Sequence, residues 1–196
     1  MIPKIIHQIW VGYNPVPAKL IQTWKDMNPT WEHRLWTNHA GWECQNRIDE
    51  CKEWNGKADI MRWEILYHHG GVYIDADSIC VKPLDDSFTE REVFSCWENE
   101  IIRAGLIATG YVGSEKGHPL MRKCIDRIKS RPVDGAAWRL LGPSMFTEEC
   151  GKDPALFVYP ARTFIPMHYT KCPAPGDWPV YADQRWGTTL GYDRLY

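Results

Sequence analysis

Four charged residues in one short stretch have the spacing of a working site. Asp59 and Arg62 stand three apart in Lys57-Ala58-Asp59-Ile60-Met61-Arg62, a separation that puts both side chains on one ridge of a helix, pointing the same way. Asp75 and Asp77 stand two apart, so in an extended strand both leave the same face, with Cα atoms roughly 6.6 Å apart at ~3.3 Å per residue. Two carboxylates so close raise each other's pKa unless a cation joins them, and one divalent ion can be served by both, one of them through water. The plain alternatives are an exposed i,i+3 ion pair, worth ~0.2–0.5 kcal/mol, for Asp59 and Arg62 and a solvated Asp-x-Asp for the second pair. A calcium loop is excluded, because the fifth and sixth positions counted from Asp75 are Ile79 and Cys80, where an EF-hand needs an oxygen ligand and a glycine.

Periodicity indicates which elements hold these residues. Lys57 to Leu66 reads as a helix, and Gly70-Gly71 as its break, since glycine adopts the left-handed conformation that ends a helix. From Val72 the period changes to two, with Val72, Ile74 and Ala76 on one face and Tyr73, Asp75 and Asp77 on the other. The two carboxylates are therefore expected to finish a strand side by side. Ahead of this stretch, residues 3–12 read as a strand buried on both faces, 18–27 as a helix closed by Asn28-Pro29, and 31–36 as a second strand. Residues 39–56 look helical but poorly patterned. Beyond it, strands are expected at 78–84, 93–97, 106–112 and 156–159, and helices opening at Pro119 and Pro143, while 160–179 is proline-dense and irregular. The helix at Pro119 should bury Leu120, Met121, Cys124, Ile125 and Ile128. Alternation of this kind predicts one α/β domain over residues 1–196 with a mainly parallel sheet.

Lys57-x-Asp59-x-x-Arg62, Leu66 and Gly70-Gly71-x-Tyr73-x-Asp75-x-Asp77 together resemble the DXD-containing glycosyltransferases of family 32. That family includes the yeast outer-chain mannosyltransferases, sphingolipid mannosyltransferases and many capsular-polysaccharide enzymes, and it shares its core with the large clostridial glucosylating toxins. The opening run through Trp10, His118-Pro119, Gly142-Pro143 and residues 181–189 are similar to further family segments. The resemblance implies a GT-A-like fold, a nucleotide-binding mixed, mainly parallel sheet flanked by helices. It also implies metal-dependent transfer of a sugar from a UDP- or GDP-sugar to a hydroxyl of a glycan or glycoconjugate, with retention of configuration and no assigned protein nucleophile. On the same warrant Trp10 stacks on the base beside the main chain of Ile9, and Asn38 lies near the ribose. Tyr73 and Asp75 belong to the nucleotide site, Asp75 being shared between ribose and ion. Asp77 binds Mn²⁺ or Mg²⁺ directly, and Asp59 and Arg62 hold sugar hydroxyls. His7 is read as core. Two positions depart from the pattern. Thr109 stands where relatives usually have Asn, and Gln184 stands where they usually have His, so Gln184 is expected to offer the ion a neutral amide oxygen and its replacement by Ala to cost little. These departures motivate the alternatives of a sugar-nucleotide hydrolase or a degenerate module that binds sugar nucleotide or carbohydrate without turnover.

Composition narrows the partners. The 196 residues are 44% hydrophobic and 24% charged with a formal net charge of −2, ordinary for a globular domain, and no basic stripe marks a nucleic-acid partner. No apolar stretch approaches the ~18 residues of a membrane span, and the N-terminus enters a strand-like pattern at once instead of a signal peptide. Seven cysteines without a CxxC pair suit a reducing compartment, so a soluble, cytoplasmic or host-cytoplasmic location is expected. Eleven tryptophans are mainly core, although flat rings also suit sugars and bases.

Overall fold

The computed structural model describes residues 1–195. Its strands are β1 (Ile5–Ile9), β2 (Glu32–Trp36), β3 (Gly71–Ile74), β4 (Ser78–Cys80), β5 (Val93–Cys96), β6 (Tyr111–Ser114), β7 (Leu156–Tyr159) and β8 (Ala182–Gln184). Its helices are α1 (Ala18–Met27), α2 (Gln45–Glu50), α3 (Trp54–His69), α4 (Pro119–Ser130), α5 (Ala137–Leu140), α6 (Pro143–Cys150) and α7 (Gly187–Leu190). Apolar residues fall into two clusters separated by the sheet: Ile9 and Tyr73 point into the one that contains α3 and α4, and Ile6, Val72 and Ile74 into the other. Successive side chains on β1 and β3 thus serve opposite layers, as a doubly covered sheet requires.

The main sheet runs β2-β1-β3-β6-β5-β7. β1 is parallel to β2 and β3, β5 is parallel to β7, and only β6 runs against both neighbours. The expected α/β class and mixed, mainly parallel sheet are therefore present. A separate antiparallel ribbon joins β4 to β8 and sets Gln184 opposite Ser78.

Helix α3 is buried from residue 59 through 66, enclosed by the sheet and by α4, whose Leu120, Met121, Cys124, Ile125 and Ile128 are all buried as the spacing predicts. It stops at Gly70 and Gly71, with φ of 65° and 101°. A Cβ on Gly71 would stand 2.6 Å from the Ile5 carbonyl oxygen, so a side chain at that position would push β3 away from β1.

Three boundaries differ from the reading of the sequence. β3 ends at Ile74, because its antiparallel partner ends there in the pair Ile74 and Tyr111. Asp75 keeps one backbone bond, from its N–H to the Gly110 carbonyl at 2.8 Å, and Asp77 lies in the turn before β4. The carboxylates thus flank a turn and do not share a strand face. Residues 106–109 are not part of β6. They touch the β5 side through a single bridge between Trp97 and Ile107, and the Ser95 hydroxyl donates to the carbonyls of both Ala108 and Tyr111. Residues 39–56 divide into α2 and the first turn of α3.

Candidate active site

Parallel β1 and β3 end at the same edge of the sheet, which brings Trp10 and Asp75 together, and antiparallel β6 begins there, which adds Thr109 and Gly110. Helix α3 supplies Asp59 and Arg62 from one side, and the β4–β8 ribbon supplies Gln184 from another. All of these residues, with Ile9, Tyr73 and Asp77, line one cleft of about 490 Å³, within the size range of small-molecule sites.

Arg62 ties the carboxylates together. Its Nη1 lies 2.7 Å from Asp59 Oδ1 and its Nη2 3.4 Å from Asp75 Oδ1. The guanidinium carbon sits 4.2 Å from the centroid of the Tyr73 ring, while the Tyr73 hydroxyl donates to that same Asp75 oxygen at 2.9 Å. The pair with Asp59 is close but out of line for a hydrogen bond, so Nη1 and Nε keep N–H groups without acceptors in a side chain only 5% exposed. The i,i+3 pair, for which an exposed ion pair was the plain alternative, is therefore buried.

Asp77 accepts from the Gly187 N–H at 2.6 Å through one oxygen and from Gln184 Nε2 at 2.9 Å through the other. Trp186 holds the left-handed conformation, φ 57°, uncommon for a bulky side chain, and it precedes the Gly187 N–H aimed at Asp77. Burial pushes both Asp59 and Asp77 up to about 6. The charge of Asp75 adds to the rise in each case, Arg62 opposes it at Asp59, and the Gly187 and Gln184 donors oppose it at Asp77. Burial opposes the charge on Arg62 as well, but Tyr73, Asp59 and Asp75 outweigh it and hold the guanidinium protonated.

Two glycines allow the backbone to pass close to these groups. A Cβ on Gly110 would lie 2.5 Å from Asp75 Oδ2, and one on Gly142 would lie 2.8 Å from Asp59 Oδ2. Gly142 belongs to the Gly-Pro pair noted in the sequence. Gly110 was read only as part of a strand, and its sole signal was its place two residues after a buried apolar pair.

Trp10 is half-buried, donates from Nε1 to the Asn14 carbonyl at 2.9 Å, and meets Tyr192 edge-on with centroids 5.9 Å apart. It belongs to the cleft and not to either core cluster. His7 is core, as read: its ring lies 2.8 Å from the Gly70 carbonyl and accepts from Trp36 Nε1 at 3.2 Å, and burial lowers its pKa to about 4.

Two assignments need correction. Asn38 follows edge strand β2, is exposed, and spends its side-chain oxygen on the Ala40 N–H at 2.9 Å, outside the residues that line the cleft. Gln184 is in the cleft but is turned the other way from expectation. Its amide oxygen accepts from the Tyr111 hydroxyl at 2.6 Å, and its NH₂ faces Asp77 and, at 3.4 Å, Asp75. The carboxylates accept hydrogen bonds only, and the amide presents its nitrogen to them. Replacing Gln184 by Ala, expected from the sequence to cost little in turnover, would strip both Tyr111 and the carboxylates of a partner, so a loss of stability of ~1–3 kcal/mol is expected. Chemical denaturation of Gln184→Ala checks this, and an unchanged midpoint would refute it.

Among the described residues no group of three or more His, Cys, Asp or Glu converges on one point. Asp75 and Asp77 nevertheless fit a hard divalent ion: both line the cleft, both face the Gln184 amide nitrogen, and burial and the Asp75 charge hold Asp77 above its ordinary pKa. With only two such donors the remaining positions fall to ligand phosphates and water, the usual arrangement for Mg²⁺.

Residues 16–95 match the family model described as the glycosyltransferase sugar-binding region containing DXD motif. An uncharacterized glycosyltransferase of Acanthamoeba polyphaga mimivirus is 31% identical over 133 residues, which are 61% of this chain and 53% of that protein. Inositol phosphoceramide mannosyltransferase 3 of Schizosaccharomyces pombe is 31% identical over 138 residues, 65% of this chain and 37% of the relative. The chain thus spans about half or less of the length of these relatives. Among solved structures, the PaToxG glycosyltransferase superposes with a TM-score of 0.62 at 18% identity, covering 78% of this chain and 70% of the other. No helix of the described residues is long and apolar enough to cross a membrane. Residues 16–95, which hold α3, Asp59, Arg62, Asp75 and Asp77, are thus similar to the sugar-binding region of DXD-containing glycosyltransferases, and the chain shares its mixed α/β fold with solved glycosyltransferase domains.

Proposed function

We propose that this chain is a metal-dependent glycosyltransferase that moves a sugar from a nucleoside-diphosphate donor to a hydroxyl of a glycan or glycoconjugate. The observation that carries the reading is the convergence of Trp10, Asp75, Asp77, Asp59 and Arg62 on one cleft. Trp10 offers an aromatic face to the base. Asp75 and Asp77 would hold a divalent ion, Mn²⁺ or Mg²⁺, which on binding neutralises the charge that develops on the diphosphate as the anomeric bond breaks. Arg62, locked between Asp59, Asp75 and Tyr73, keeps two N–H groups for donor oxygens, and Asp59 accepts from sugar hydroxyls. The likeness to retaining relatives supports retention of configuration, and no side chain is assigned as nucleophile.

Incubation with a panel of UDP- and GDP-sugars, a mannosyl donor first, tests the proposal by following nucleoside diphosphate release with and without glycan acceptors. Acceptor-stimulated release supports transfer. Release that no acceptor alters favours hydrolysis, and absence of nucleotide binding overturns the reading. Trp10→Ala should weaken nucleoside diphosphate binding by ~1–3 kcal/mol, the worth of one stacked base, without moving the melting temperature, because the ring is outside the core. Calorimetry beside a melt decides this, and a collapsed melt with unchanged affinity would assign Trp10 to the fold.

A further inference from the structure

The segment after β5 carries polar residues that the nucleotide reading leaves without a role. Residues 98–106 fold back on themselves. The Glu98 N–H donates to the Leu106 carbonyl at 2.9 Å and the Arg103 N–H to the Asn99 carbonyl at 3.0 Å, while the buried Asn99 side chain accepts from the Ile101 and Ile102 N–H groups. This loop presents Glu98 and Arg103 to the cleft in a fixed arrangement. Arg103 donates to the Tyr169 hydroxyl at 3.2 Å, lies 3.5 Å from Glu98 Oε1, and sits with its guanidinium carbon 5.6 Å from the Trp138 ring centroid. The buried His168 ring stands 3.3 Å from the same Glu98 oxygen.

All four of Glu98, Arg103, Trp138 and Tyr169 line the cleft, yet Trp138 remains 46% exposed. An indole left open inside a cleft, next to a carboxylate and a guanidinium, combines an apolar platform with an acceptor and a fork of donors. That is the chemistry of a pyranose ring: a face of C–H bonds to lie on the indole, and hydroxyls that both donate and accept. A serine or threonine side chain has no such face. The cluster also borders the groups assigned to the donor. Trp138 Cα and Asp59 Oδ2 both approach the point where a Gly142 Cβ would be, at 3.3 Å and 2.8 Å. Trp186, which precedes the Gly187 N–H on Asp77, packs 5.3 Å from Tyr169. An acceptor held here would reach the donor sugar and not the base.

We propose that Trp138, Glu98, Arg103 and Tyr169 form the acceptor subsite, and that it takes the terminal pyranose of a glycoside. The inference rests on the transferase reading above. Its test uses the full chain with the donor identified by the panel, methyl hexopyranosides and disaccharides as one set of acceptors, and Ser- and Thr-containing peptides as the other. Glycosides should be used and peptides refused. Trp138→Ala should raise the acceptor KM about tenfold, the scale of one ring contact, and Trp138→Phe should recover most of it, while calorimetric affinity for nucleoside diphosphate stays unchanged in both. Transfer to peptides, or an acceptor KM that Trp138→Ala leaves alone, overturns the subsite while the transferase reading stands. Failure of the unaltered protein to bind any nucleoside diphosphate overturns that reading, and the subsite with it.

Discussion

Asp77→Asn is expected to make the metal-free protein more stable near neutral pH and to abolish ion-dependent binding and transfer. Asp77 holds its proton to about pH 6 in the folded chain against 3.8 for the ordinary group, through burial and the neighbouring Asp75 charge. Between those values the folded chain binds more protons than the unfolded one, so stability falls as pH rises through the window; the penalty is absent below it and complete above it. Asn carries no such penalty. Its oxygen can keep the Gly187 N–H and its NH₂ can face a reoriented Gln184 amide, whose nitrogen then donates to Tyr111. Urea denaturation with chelator present should show the variant ahead by on the order of 1–3 kcal/mol at pH 7, with the gap closing near pH 4. Nucleoside diphosphate binding should lose its response to Mn²⁺ or Mg²⁺, because an amide is a far weaker ligand for a hard cation than a carboxylate. A variant less stable at pH 7 would mean that the two donors hold Asp77 ionised, and metal-dependent transfer by the variant would remove Asp77 from the ion site.

What the sequence revealed of the site was what lay within one helix and one strand. Asp59 and Arg62 share a ridge through local geometry alone, Gly70-Gly71 mark the reversal into β3, and the period-two run locates Val72 to Ile74 correctly. The same run extends to Ala76, which is also buried, so nothing in residues 72–77 shows that the strand stops at Ile74. That end is set by the register of β6, 37 residues further on in the pair Ile74 and Tyr111. Gln184 was identified from its place in the closing segment, but the direction of its amide depends on Tyr111 and on two carboxylates more than a hundred residues away. Asn38 illustrates the opposite error. Its strand is correct, yet β2 lies at the edge of the sheet, with β1 between it and β3, and the loop after it turns to solvent. Glu98 and Arg103 carried no pattern at all, since their pairing is created by the fold of an irregular loop against residues 168 and 169.

Arg62→Met is expected to destabilise the fold by ~3–5 kcal/mol, because removing one member of a buried ionic group leaves the others uncompensated. The methionine fills much of the space but leaves Asp59 and Asp75 facing each other without the cation 2.7 Å and 3.4 Å away, and it also removes the charge stacked on Tyr73. Adding Asp59→Asn should return part of the loss, since the Asp59 carboxylate, raised by burial, already stands near pKa 6 and gains most from becoming neutral. The single variant Asp59→Asn should fold well and bind nucleoside diphosphate as before, while transfer falls, if its contact is to the donor sugar. Denaturation of the two single variants and the double variant forms a cycle that isolates the coupling. Simple additivity, with the double variant no better than the sum of the singles, would show that Arg62 does not stabilise the fold through Asp59. A large loss of nucleoside diphosphate affinity in Asp59→Asn would move that carboxylate from the sugar to the nucleotide.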